Sequence, residues 1–228
     1  KGCRGKQPDG WQKTAFSSAF SVVPAVLTGL QTMNNLKVTP GLMPDPNWVT
    51  PATDSVTKTG MVNSLERTLT GKYGDIDKPE EIAYLAIEPG SGVLMGVDGS
   101  TVNYAAVISG RKVTGWGDKK KYKVPFGKDM GVKNPLVITS KNTRKGGHGG
   151  WTRSGKLSSK WVEVKIDEDM HCKKDRKHGM KESVAVLAFS KPFVMSVGLS
   201  GIDKAKCCSM ASGASGLTES KKAIMWKY

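Results

Sequence analysis

From Trp161 to Ile166 apolar and polar positions alternate. Val162, Val164 and Ile166 share one face, and Glu163 and Lys165 share the other. A period of two is the repeat of a β-strand, and this pattern predicts an antiparallel strand with one face buried and one in water. The run Val184 to Phe189 has no polar residue, which predicts a central strand covered on both sides. Asp98-Gly99-Ser100 and Ser109-Gly110-Arg111 are turn signals spaced as in a β-meander. Phe16 and Phe20 have the spacing of a helical face, but Gly and Pro crowd their flanks, so a strand followed by a turn is expected there.

Laid on itself with a shift of 102, the chain repeats. Val62 falls on Val164, Glu66 on Glu168 and Glu80 on Glu182, and Ala83, Leu85 and Ala86 fall on Ala185, Leu187 and Ala188. Upstream, Phe16, Phe20 and Pro24 followed by Ala25-Val26-Leu27 resemble Phe126, Met130 and Pro135 followed by Leu136-Val137-Ile138, and Pro24 to Pro135 is a shift of 111. The first copy therefore carries about nine extra residues, as loops tolerate, and the stretch with Pro40, Pro44, Pro46 and Pro51 is the candidate. The expectation is all-β: two tandem antiparallel β-sandwiches, 1–98 and 99–190, and a tail, 191–228, that completes a sheet or docks on a partner.

Composition agrees. With 228 residues the chain suits two small domains, and its 27 glycines favour many turns. No apolar run reaches the ~18 residues of a membrane span. A chain beginning at Lys1 is expected to be a processed or truncated product, already free of any targeting peptide. The net charge of +15 fits either a simply solvated surface or anionic partners: acidic glycans, an acidic protein face or lipid headgroups. The densest run is Lys119, Lys120, Lys121 and Lys123, expected exposed near the junction of the copies and against an anionic partner. Nucleic acid is not the expected partner, because the basic residues are dispersed and no aromatics interleave with them at fixed spacing. Cys3, Cys172, Cys207 and Cys208 form no CxxC pair, which argues against a zinc finger and leaves disulfides and free thiols both open.

Certain segments resemble the H-type lectin-like domain. They are Phe16-xxx-Phe20-xxx-Pro24-Ala25-Val26-Leu27, then Val62-xxx-Glu66, then Glu81 to Gly90 in the first copy. In the second they are Gly146 to Trp151, Val162-x-Val164-x-Ile166-Asp167-Glu168-Asp169, and Asp175-Arg176-x-His178-xxx-Glu182. Their order is similar to tandem repeats of bacterial and protist secreted or surface proteins. The resemblance implies a six-stranded sandwich, oligomerisation as a trimer, and sugar binding. The first copy departs from it, with Tyr73 and Ile76 where the second has Asp175 and His178.

Three readings fit the acidic cluster of Asp167, Glu168, Asp169, Asp175 and Glu182 with Arg176 and His178. It is a structural network, a calcium site, or a catalytic carboxylate–histidine set. The network is preferred, because Glu66 and Glu80 persist in the first copy without the Asp and His; calcium is the alternative and no other cofactor is expected. Gly146-Gly147-His148-Gly149-Gly150 after Arg144 and Lys145 has the composition of an anion cradle but lacks the Gly-Lys-Ser/Thr ending, so a flexible hairpin tip is expected. Arg144, His148 and Trp151 are the candidates for facing a ligand, Trp151 alternatively capping a sandwich end. No hydrolase or nucleotide-binding motif is present and only three histidines are available. The sequence thus predicts a non-enzymatic, secreted or surface carbohydrate-binding or adhesion module. The alternative is a scaffolding subunit of a larger assembly, an extracellular filament or an organellar membrane complex, docked through its basic surface with peripheral membrane contact.

Overall fold

The computed structural model describes residues 10–35, 49–67, 76, 78–117, 122–147, 149–168 and 178–194. Among these there are twelve strands and no helix: β1 (Gln12–Ala15), β2 (Ala25–Leu30), β3 (Val49–Asp54), β4 (Gly60–Arg67), β5 (Ile82–Ile87), β6 (Gly90–Met95), β7 (Thr101–Ile108), β8 (Tyr122–Pro125), β9 (Leu136–Lys141), β10 (Trp151–Leu157), β11 (Trp161–Asp167) and β12 (Val184–Phe189). All the strand pairs are antiparallel.

One pairing scheme occurs twice. The first half has a sheet β1-β4-β3 and a pair β2-β5; the second has a sheet β8-β11-β10 and the pair β9-β12. Equivalent bonds fix the alignment. Phe16 N–H donates to Thr59 O as Phe126 N–H does to Lys160 O, and Phe20 N–H donates to Lys58 O as Met130 N–H does to Ser159 O. The offset is 110 on the donor side and 101 on the acceptor side. The register therefore sets Glu66 on Asp167, one residue short of Glu168, whereas β2-β5 and β9-β12 keep offsets of 111 and 102. One residue matters in a strand, because it exchanges the two faces.

The β6-β7 hairpin spans residues 98–99, where the junction between the copies was expected, and extends the second pair into the sheet β6-β7-β12-β9. Its turn uses Gly99 at φ 75°, a left-handed conformation that favours glycine. β12 is buried on both faces. Val184, Val186 and Ala188 pack on Val162, Val164 and Ile166 of β11 with Phe126 and Met130, while Ala185 and Leu187 pack on Ala25 and Leu27 of the first half. This double burial is why the segment needs no polar residue. Leu85, at the position equivalent to Leu187, is 44% exposed against 4%, since β5 pairs only with β2 among the described residues.

The interior of the first half is more polar. Thr14 and Asn63 stand where the second half has Val124 and Val164, and Thr53 Oγ1 donates to Asn63 Oδ1 at 3.0 Å while Asn63 Nδ2 donates to Thr14 Oγ1 at 3.2 Å. The edge of β2 away from β5 lies against the second half. There Asn142 Oδ1 accepts from Val26 N–H at 3.1 Å, Asn142 Nδ2 donates to Val26 O, and Ser140 Oγ meets Thr28. Side chains thus satisfy backbone groups that a neighbouring strand would otherwise pair.

Both Asn142 and Val26 are buried. Asn142→Ala should therefore lower the unfolding free energy by about 1–3 kcal/mol, the cost of an unsatisfied buried polar group, read as a lower urea midpoint. An unchanged midpoint would show that water or a neighbour replaces the amide.

Candidate functional site

Glu182 precedes β12 and is 0% exposed. Its Oε1 accepts from the backbone N–H groups of Lys145 and Gly146, both at 2.8 Å, and from His178 Nε2 at 3.0 Å; Thr143 Oγ1 donates to Oε2 at 2.5 Å. The other ring nitrogen of His178, Nδ1, is bonded to Glu168 Oε1. The glycine-rich loop is thus not a hairpin tip. Its N–H groups do cradle an anion, and that anion is the protein's own carboxylate. Gly146 has to be glycine, because a Cβ there would sit 2.2 Å from His178 Cε1.

The same loop reaches the first half. Glu66, 1% exposed, is bonded by Lys141 Nζ and by Arg144 Nε, the latter at 3.0 Å, and Lys145 Nζ lies 2.8 Å from Asp54 Oδ2. Arg144, a candidate for facing a ligand, is therefore turned inward. Of the acidic network, Glu168, His178 and Glu182 are together, while Asp169, Asp175 and Arg176 lie outside the described residues, as do His148, Lys119, Lys120, Lys121 and all four cysteines. Among the described residues no group of three or more His, Cys, Asp or Glu side chains is arranged to hold a metal ion.

A second feature lies on the outer face of β8-β11-β10, away from the core. Trp161, Glu163, Lys165 and Asp167 project there from β11, with Lys123 opposite Glu163, Arg153 opposite Lys165 and Trp151 opposite Asp167. Trp116 joins them, its backbone N–H donating to Ile166 O at 2.8 Å and its backbone carbonyl accepting from Lys165 Nζ at 3.0 Å. Each tryptophan carries a cation: Lys123 Nζ is 4.0 Å from the Trp161 ring centroid, Lys165 Nζ 5.6 Å from Trp116, and Arg153 Cζ 5.8 Å from Trp151. Such a contact contributes about 0.5–1 kcal/mol at an exposed site.

This face corrects the half-exposed strand expected here. Glu163, Lys165 and Asp167 are 6%, 7% and 2% exposed. Lys165 Nζ donates to Trp116 O and Arg153 Nε to Asp167 Oδ2 at 2.7 Å, so Lys165 and Asp167 are bonded within the face rather than solvated. Trp151 begins β10 and belongs to this face rather than capping a sandwich end. Lys123 is exposed, as expected of the lysine run. Trp116, Trp161 and Arg153 were not among the expected site residues. The signal for Trp161 was available, because it stands two and four residues before Glu163 and Lys165, on their face. Trp116 carried none, since it reaches the sheet through a long-range contact. No protein-family model, curated protein or solved structure matches the chain.

Burial alone would lower the pKa of His178, but hydrogen bonds and charge from Glu168 and Glu182 outweigh it, and the value stands above 6.5. Burial likewise opposes ionisation of Glu182, yet His178, Thr143 and the two backbone N–H groups together hold it below 4.5. The raised histidine contributes stability that is complete below pH 6.5 and is lost as pH rises through the folded value. The lowered carboxylate contributes stability that is complete above pH 4.5 and is lost as pH falls through its own. The pair thus favours the folded state most between pH 4.5 and 6.5. Urea unfolding followed from pH 4 to 9, as an approximate range, should show stability falling on the alkaline side in the wild type and a flatter alkaline limb in His178→Gln. Identical profiles for the two proteins would contradict a charged His178.

Proposed function

We propose that this protein is a non-enzymatic carbohydrate-binding or adhesion module made of two tandem, H-type lectin-like β-sandwiches. The observation that carries the reading is the outer face of β8-β11-β10, where three indoles lie on one sheet, each beside a cation. Indoles beside cations combine apolar carbon with hydrogen-bond donors, which suits the C–H and hydroxyl groups of sugars. The repeated pairing scheme supports the tandem arrangement, and the Phe16, Phe20 and Glu182 patterns support the lectin-like family. A binding role over catalysis is supported by the burial of the carboxylate–histidine set, since His178 and Glu182 are 1% and 0% exposed and already bonded to one another.

A scaffolding subunit is the second reading, and β6 favours it. Among the described residues this strand stands at the sheet edge, contains no charged residue, and leaves Val93 56% and Met95 70% exposed. Uncharged edges of this kind invite pairing with another chain.

A glycan array probed with the purified chain tests the first reading. Saturable binding to a defined set of oligosaccharides is expected, and Trp161→Ala should weaken it by about tenfold or more, as loss of a buried aromatic anchor does. Absence of binding across the array, or binding untouched by Trp161→Ala, would remove the lectin reading.

A further inference from the structure

We infer that the ligand of the tryptophan face is an acidic oligosaccharide carrying repeated sulfate or carboxylate groups, held between Lys123 and Arg153; the inference rests on the carbohydrate-binding reading above. The layering of charge supplies the first argument. Glu163 and Asp167 are buried at 6% and 2%, whereas Lys123 is exposed and the Arg153 side chain is 53% exposed. A ligand approaching this face therefore meets cations first, on a chain whose net charge of +15 already favours anions.

Spacing supplies the second argument. Lys123 lies opposite Glu163 and Arg153 opposite Lys165, on the two flanks of β11 and two residues apart along it. With strands ~4.8 Å apart and a rise of ~3.4 Å per residue, the two positions are roughly 12 Å from one another. Their charged ends lean further apart, Lys123 Nζ over Trp161 at the start of β11 and Arg153 Nε on Asp167 at its end, so anionic groups that engage both must recur along an extended ligand.

The third argument separates glycan from nucleic acid. The Lys123 ammonium occupies a face of the Trp161 ring at 4.0 Å, and Arg153 lies over Trp151. A base stacking on those faces would have to displace the cations. A sulfate or carboxylate bonding Lys123 from the solvent side leaves the cation–π contact in place, so recognition runs through the anionic groups of the sugar.

The test compares a sulfated oligosaccharide, its desulfated counterpart and single-stranded DNA of similar charge. Each is titrated against wild type, Lys123→Gln and Lys13→Gln. Lys13 is an exposed lysine on β1 in the other half and changes the net charge equally. The sulfated ligand should bind the wild type at least tenfold more tightly than either other ligand. Lys123→Gln should weaken it about fivefold or more, Lys13→Gln less than twofold, and salt raised from about 0.05 to about 0.5 M should weaken it further by screening. Equal losses in the two variants would assign binding to diffuse charge and overturn the inference. Tighter binding of DNA would overturn it in favour of nucleic acid. Equal affinity for the desulfated ligand would overturn the acidic preference and leave the carbohydrate reading standing, whereas failure of both oligosaccharides to bind would remove both.

Discussion

The buried carboxylate of Glu182 is the constraint on which the described parts depend. A charge taken out of water is tolerated only when hydrogen bonds replace its solvation. Here two backbone N–H groups, a hydroxyl and an imidazole do so. Satisfying Glu182 folds the Thr143–Gly146 segment back over the start of β12. That fold sends Asn142 to the edge of β2 and Arg144 to Glu66 of the first half, beside Lys141 at the end of β9. Through His178 it also ties Glu168, at the end of β11, and so braces the strand that carries Trp161, Lys165 and Asp167.

The two halves solve one packing problem with different chemistry. The second buries Val124 and Val164 where the first uses Thr14 and Asn63, so at these positions the second half relies on apolar contact and the first on hydrogen bonds. Each fully buried Val contributes about 1.5–3 kcal/mol, and a net hydrogen bond about 0.5–1.5 kcal/mol. The first half is correspondingly reliant on its neighbour. Ala25 and Leu27 are buried against β7 and β12, and the edge of β2 is completed by Ser140 and Asn142.

Much of this was legible in the chain because the signals are local. The alternation after Trp161 and the apolar run of β12 follow from the side-chain period, the turns from their glycines, and of the acidic cluster Glu168 and Glu182 meet at His178. What escaped depends on long-range contacts. A shift of 102 aligns Glu66 with Glu168 by residue type, yet strand register sets it on Asp167. Glu163 and Lys165 read as solvated because charge in an alternating strand normally is; Lys165 is held by Trp116, from another part of the chain. Arg144 beside a glycine-rich loop suggested a ligand, but Glu66 is present to take it. The inward anion of that loop belongs to a residue about 36 positions away in the chain.

Amide hydrogen exchange at Lys145 and Gly146 in wild type and Glu182→Gln tests the central role of this carboxylate most directly. Both N–H groups donate to Glu182 Oε1 and should be protected close to the global limit in the wild type. In the variant they should exchange faster together with Val26 N–H, which depends on Asn142 in the same loop. Loss of protection at Lys145 and Gly146 with Val26 unchanged would show that the loop and the junction of the halves are held independently, and would contradict the account.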